Sequence, residues 1–142
     1  YRGIRRNFRF VNINKIYYLL ILMGGEIIEL TKRDELKEYL KKNKVVIVKV
    51  SAAWCGPCQR IKPLVAACHD ELSKDITMVL VDRDKGSDIS NMLRVKSVPY
   101  LVNFVNGQQY DICTSSRREE VISFFKSTHD RYVINFTNNL TL

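Results

Sequence analysis

Val45-Val46-Ile47-Val48-Lys49-Val50 runs through Ser51-Ala52-Ala53 into Trp54-Cys55-Gly56-Pro57-Cys58, and this join decides the fold. A continuous apolar run is the signature of a central strand buried on both faces. From Pro57 to about Ser73 the pattern turns helical. Two thiols therefore stand where a buried strand hands over to a helix. A helix start offers unpaired backbone N–H groups and the positive end of the helix dipole. The thiolate is the reactive form of cysteine, so that setting favours exchange chemistry. Lowering a thiol from about 8.5 to about 7 takes roughly 2 kcal/mol. The helix start, with an S–H donor from Cys58, is of the right scale.

The spacing divides the labour. Cys55 precedes the first helical turn and is expected to be partly exposed, attacking a partner disulfide. Cys58 lies further in, is shielded, and displaces the partner from Cys55. Pro57 suits a first turn, where its missing N–H costs nothing. Gly56 allows the close backbone approach that a disulfide needs. Trp54 covers one side of the pair.

Working outward, Glu26–Leu30 reads as a short strand, and Thr31 is placed to cap a helix carrying Leu36, Tyr39 and Leu40. Pro63 interrupts the helix after the cysteines and predicts a kink. Ile76–Val81 is a second buried strand and Ser87–Leu93 a short helix. Tyr100–Val105 and Gln108–Cys113 flank Asn106-Gly107, a hairpin signal. Ser116 and Glu119 have capping-box spacing before a last helix reaching about Ser127. The order β-α-β-α-β-α-β-β-α predicts an α/β fold: one mixed sheet with helices on both faces.

The chain has 142 residues, 46% of them hydrophobic, enough for one domain with a core. Four cysteines are too few for a disulfide scaffold. A zinc site wants a second close pair, whereas Cys68 and Cys113 stand alone. Of the net charge of +8, five positive charges (Arg2, Arg5, Arg6, Arg9, Lys15) lie in residues 1–22 without an acid, leaving +3 for the rest. With no basic stripe interleaved with aromatics, nucleic acid is not an expected partner.

Residues 1–22 form a basic leader, 23–128 the domain and 129–142 a tail. For the leader, three readings stay open: sequence upstream of a true start at Met23, a signal peptide, or a transit peptide. The apolar stretch Ile16–Met23 has eight residues, too short for a membrane span. Met23-Gly24 lacks the Ser or Thr that myristoylation wants, Ile28 standing there instead. The tail is read either as disordered or, through Val133, Ile134 and Phe136, as extending the packing of the last helix. Two sequons, at Asn135 and Asn139, matter only for a secreted chain.

Residues 51–58 followed by Ile61-Lys62-Pro63 resemble the active-site segment of the thioredoxin family. Val98-Pro99 stands where that family has a cis-proline, and Asn106-Gly107 matches its late hairpin. The resemblance covers about residues 26–128. It implies the thioredoxin fold and a monomeric, cytoplasmic protein-disulfide reductase serving cell redox homeostasis. Electrons pass from a thioredoxin reductase through Cys55 and Cys58 to disulfide-containing proteins, with no bound cofactor. It further implies that Val98, Pro99 and Tyr100 border the substrate, and that the Val98–Pro99 bond is cis.

Departures accompany it. The family's buried Asp, six residues before the first active-site cysteine, is Lys49 here, and a partner Lys is replaced by Met78. A buried lysine is driven toward neutrality and then accepts a proton from Cys58; charged, it stabilises a thiolate; extended to solvent, it does neither. Tyr100 replaces a frequent Thr and Ser115 a frequent Gly, adding bulk near the binding surface.

Cys68, in line with Leu64 and Leu72, reads as core. Cys113 reads as filler at a strand end, His69 as solvated among Asp70 and Glu71, and Asp82 as a local turn residue. Two rival functions remain at this point. One is a disulfide oxidase or isomerase in an oxidising compartment, where Gly-His is commoner between the cysteines than Gly-Pro. The other is a binding module that kept the fold without turnover.

Overall fold

A computed structural model describes residues 24–140; the leader, residues 1–22, and Met23 lie outside them, as do the last two residues of the tail. The elements are β1 (Ile27–Glu29), α1 (Arg33–Lys42), β2 (Val45–Ser51), α2 (Gly56–Asp70), β3 (Ile76–Asp82), α3 (Ser87–Met92), β4 (Tyr100–Val105), β5 (Gln108–Cys113) and α4 (Arg118–Leu140). They form one five-stranded sheet in the order β1-β3-β2-β4-β5. β3 runs parallel to both β1 and β2, while β4 is antiparallel to β2 and to β5. This is the mixed sheet that the alternation of elements predicted.

Side chains alternate across β2, so its two faces feed two cores. Val45 and Ile47 pack with Ile61, Leu64, Val65 and Cys68 of α2 and Val121, Phe124 and Phe125 of α4. Val46, Val48 and Val50 face Leu36 of α1 and Ile89 of α3. Burying these five apolar side chains contributes roughly 10 kcal/mol before chain entropy. That gain explains how the strand tolerates Lys49, buried at 6% exposure between Leu80 and Leu101 of its neighbours.

Asn106 and Gly107 take positive φ, 51° and 80°, as the tight turn between β4 and β5 requires. Several expectations are corrected. Thr31 does not cap α1; the helix starts two residues later, and the Glu35 carboxylate reaches back to the Lys32 and Thr31 N–H groups at 2.9 and 3.3 Å. Ser116 does not cap α4. Instead Ser115 Oγ accepts from Arg117 N–H at 3.0 Å, one turn element earlier. His69 is not solvated: it is buried, with Nε2 2.8 Å from the Ile76 carbonyl.

The tail reading resolves toward helix. α4 continues unbroken to Leu140, with Val133, Ile134, Phe136 and Leu140 exposed along the extension. Beyond the apolar contacts of Val121, Phe124 and Phe125, what holds the later turns of α4 to the sheet is polar. Asp111 of β5 accepts two hydrogen bonds from Arg131, at 2.6 and 3.0 Å, one from Ser127 at 2.8 Å and one from Asn103 at 2.9 Å. Asn103, fully buried in β4, also donates to Thr128 at 2.9 Å. Arg131 lies 4.4 Å over the Tyr110 ring. These bonds hold the Asp111 carboxyl well below the usual carboxylate range, with Arg131 the leading cause.

The first described residues enter a tight slot. Gly24 N–H donates to the Leu72 carbonyl and Gly25 N–H to the Ile76 carbonyl, both at 3.0 Å. A Cβ at Gly25 would collide with the Ile76 carbonyl and stand 2.6 Å from the Lys74 carbonyl; one at Gly24 would stand 3.0 Å from His69 Nδ1. Only glycine fits beside backbone this close.

Candidate active site

Cys55 is the N-cap of α2. Its sulfur takes the place of the usual cap oxygen and accepts the Cys58 N–H at 3.1 Å. Pro57 occupies the first turn, where the lost donor is harmless. Cys55 N–H is tied to the Ala52 carbonyl at 3.1 Å, which fixes the turn leaving β2. Cys55 and Cys58 form a disulfide, with Cα atoms 5.3 Å apart. The dithiol that forms on reduction would sit where a backbone N–H already faces the outer sulfur, favouring its thiolate.

Three loops converge here, because β2 and β3 end and antiparallel β4 begins at one edge of the sheet. Ser51 stands opposite Asp82 and Val50 opposite Tyr100. The Val98–Pro99 peptide bond is cis. The Val98 carbonyl oxygen lies 3.7 Å from Cys55 Sγ. Val98 packs on the small cluster of Ala52, Cys55 and Cys58. From the β3–α3 loop, Asp84 accepts the Trp54 indole N–H at 2.9 Å. The indole is 64% exposed.

Two expectations change. Cys55 is buried, at 4% exposure, because Val98 and the cap bond close over its sulfur; the exposed neighbours are Ala53, Trp54 and Gly56. Tyr100 adds no bulk to the surface. It is buried in the core shared with α1 and α3, where burial raises its pKa, so only its backbone borders the site. Ser115 is half-buried and engaged in the turn before α4. Lys49 lies on the α2 face of β2, and no ion pair or hydrogen bond among the described residues reaches it. Burial, then the charge of Lys62, lower its pKa toward the neutral form. Met78 sits in the same core opposite Ile47, so Lys49 has no ionic partner there.

Asp82 takes the turn role. Its Oδ1 accepts the Asp84 and Lys85 N–H groups, both at 2.9 Å, and those bonds lower its pKa, the one from Lys85 most. Asp84, which grips Trp54, was missed by the sequence reading; in Asp82-Arg83-Asp84 nothing distinguishes the two acids until the turn is built. Cys68 is fully buried, its thiol pushed up to about 12 by burial; Cys113 is buried and raised for the same reason. Among the described residues no cluster of three or more His, Cys, Asp or Glu is arranged to hold a metal ion. No helix among them is long and apolar enough to cross a membrane.

The family model described as Thioredoxin matches residues 26–127. The chain belongs to the thioredoxin family. It is 35% identical over 82 residues to a thioredoxin of Mycoplasmoides gallisepticum, a match covering 58% of this chain and 81% of that one. It is 31% identical over 85 residues to a bifunctional thioredoxin reductase/thioredoxin of Mycobacterium leprae, covering 60% of this chain and 19% of the relative. The fold matches the crystal structure of the reduced thioredoxin pre-protein of Schistosoma mansoni, with a TM-score of 0.65 and 27% identity, covering 73% of this chain and 99% of that one. The thioredoxin fold is thus the architecture of this chain. The Cys55–Cys58 pair is the redox-active centre of a thiol-disulfide oxidoreductase.

Proposed function

We propose that this chain reduces disulfides in other proteins. The observation that carries the reading is the placement of Cys55 as helix N-cap, within disulfide reach of Cys58 and beside the Val98 carbonyl. The Cys55 thiolate attacks one sulfur of the substrate disulfide. The substrate S–S bond breaks, its other sulfur leaves as thiolate and takes up a proton, and a mixed disulfide forms. Cys58, losing its proton, attacks the Cys55 sulfur. The second substrate thiol departs, and Cys55–Cys58 closes. Two electrons pass to the substrate, and the dithiol is oxidised.

The Val98 carbonyl edge offers an extended substrate backbone an acceptor next to the reacting sulfur. A separate thioredoxin reductase returns two electrons; the fused reductase–thioredoxin relative supports such a partner. The electrons reside in the dithiol, so the reaction calls for no bound cofactor. Two unpaired buried thiols, Cys68 and Cys113, fit a reducing compartment such as the cytoplasm. A monomer leaves the site open to large partners. Gly56-Pro57 between the cysteines and the intact pair favour this over an isomerase or a binding-only role.

Trapping tests it. Cys58→Ser should hold substrate proteins as mixed disulfides that dithiothreitol releases, while Cys55→Ser should hold none. Cys55→Ser should also bring insulin reduction down to the rate of dithiothreitol alone. Insulin reduction unchanged in Cys55→Ser would refute the reading.

A further inference from the structure

The three loops that meet at the dithiol carry an unbalanced charge. On the first two turns of α2 stand Arg60 and Lys62, both exposed. The β3–α3 loop adds Arg83, half-buried, and Lys85, exposed; the loop before Pro99 adds Arg94 and Lys96, both exposed. Over the same stretches the acids are Asp82 and Asp84 alone, six cations against two anions. Both acids already have partners. Asp82 holds the turn N–H groups and feels the charge of Lys85, and Asp84 holds the Trp54 indole. None of the six cations has a side-chain ion pair or hydrogen bond among the described residues. By contrast, Arg117, in the turn after β5 at this edge, is paired with Glu120 at 2.8 Å.

The cations are tied to the reacting sulfurs by short links. A Cβ built on Gly56 would lie 3.5 Å from Arg60 Nη1, so the guanidinium stands over the first turn of α2, next to Cys55. Arg83 and Lys85 flank the residue that holds Trp54. Lys96 lies two residues before Val98, whose carbonyl meets Cys55 Sγ. Fixed cations around a reacting centre raise the local concentration of anionic partners and speed their encounter.

We propose that this rim selects protein disulfides flanked by acidic residues. The proposal rests on the reductase reading and names its substrate class. A carboxylate beside the substrate cysteine meets Arg60 or Lys96 while the disulfide reaches Cys55. A lysine there meets the same cations and is repelled. The six cations act through charge and take no part in the exchange step.

The test uses three disulfide-bonded peptides of one sequence and spacing, flanked by Glu, Gln or Lys. The fully reduced chain is mixed with each, and the second-order rate constant of peptide reduction is read by mass spectrometry of quenched samples. The expected order is Glu, then Gln, then Lys, with a Glu-to-Lys ratio of about tenfold at low salt. Screening should shrink the ratio to about twofold in 0.5 M salt. The double variant Arg60→Glu, Lys96→Glu leaves four cations against four anions and should bring the three constants together; Lys85→Gln, Lys96→Gln, a milder pair, should narrow the spread if the first does not fold. Equal constants for the three peptides, or a spread that neither salt nor the folded variants alter, would overturn the charge selection and leave the reductase reading standing. A folded chain that reduces none of the three overturns both.

Discussion

Asp111→Asn should cost this fold about 2 kcal/mol at pH 7. The carboxylate accepts four hydrogen bonds, two of them from the Arg131 guanidinium. Asparagine keeps the shape but removes the charge and turns an NH2 toward donors. Bonds to a charged partner contribute about 1.5–3 kcal/mol each when buried. Asp111 and Arg131 have side chains 28% and 35% exposed, so water screens part of that and the lower figure applies. Because the folded carboxyl is held below its ordinary value, chiefly by Arg131, its stabilisation is fully present above about pH 4 and is lost as pH falls toward the folded value. Urea unfolding followed by circular dichroism measures it. The gap between wild type and variant should narrow by about 1 kcal/mol between pH 5 and pH 3. A gap below about 0.5 kcal/mol at pH 7, or one that does not change with acid, would refute the assignment of Asp111–Arg131 as the clamp on α4.

Other outcomes can be read with similar means. Gly25→Ala should destabilise by about 2 kcal/mol, since the new methyl meets backbone carbonyls; hydrogen exchange should show Met78 N–H, bonded to the Glu26 carbonyl, losing protection first. Lys49→Met should be more stable than wild type by about 1 kcal/mol at pH 7. Burial lowers the folded pKa of Lys49, so its cost is present while the group is charged, and the gain should vanish above about pH 10 in denaturation curves. The His69 pKa is likewise lowered by burial, so stability should fall as pH drops below about 6.5, and His69→Gln should weaken that slope. Iodoacetamide at pH 8 should label the reduced native protein at Cys55 and spare Cys68, whose thiol is pushed up to about 12; equal labelling of both would contradict the burial of Cys68.

Periodicity and turn chemistry located the sheet well. β2 and β3 were legible because a strand buried on both faces needs unbroken apolar sequence, and the hairpin because its turn needs two residues at positive φ. Helix starts were less legible. Thr31 and Ser116 are good caps by type, yet Glu35 and Ser115 satisfy the backbone instead. A cap depends on where the preceding loop is anchored, and that is a tertiary matter. The exposure of Cys55 was misread for a similar reason: its burial comes from Val98, forty-three residues away along the chain. His69 looked solvated among acids, but the helix turns it inward toward Ile76. The α4 extension stayed one of two open readings because its hold on the sheet runs through Asp111 and Asn103, polar residues that no hydrophobic pattern flags.

The glycine slot has a practical corollary. Gly24 and Gly25 leave the domain at the start of β3, while the cysteines stand at its finish, a separation of about 20 Å for a strand of this length. The point where Gly24 and Gly25 are pinned is thus the pole of the domain opposite the dithiol.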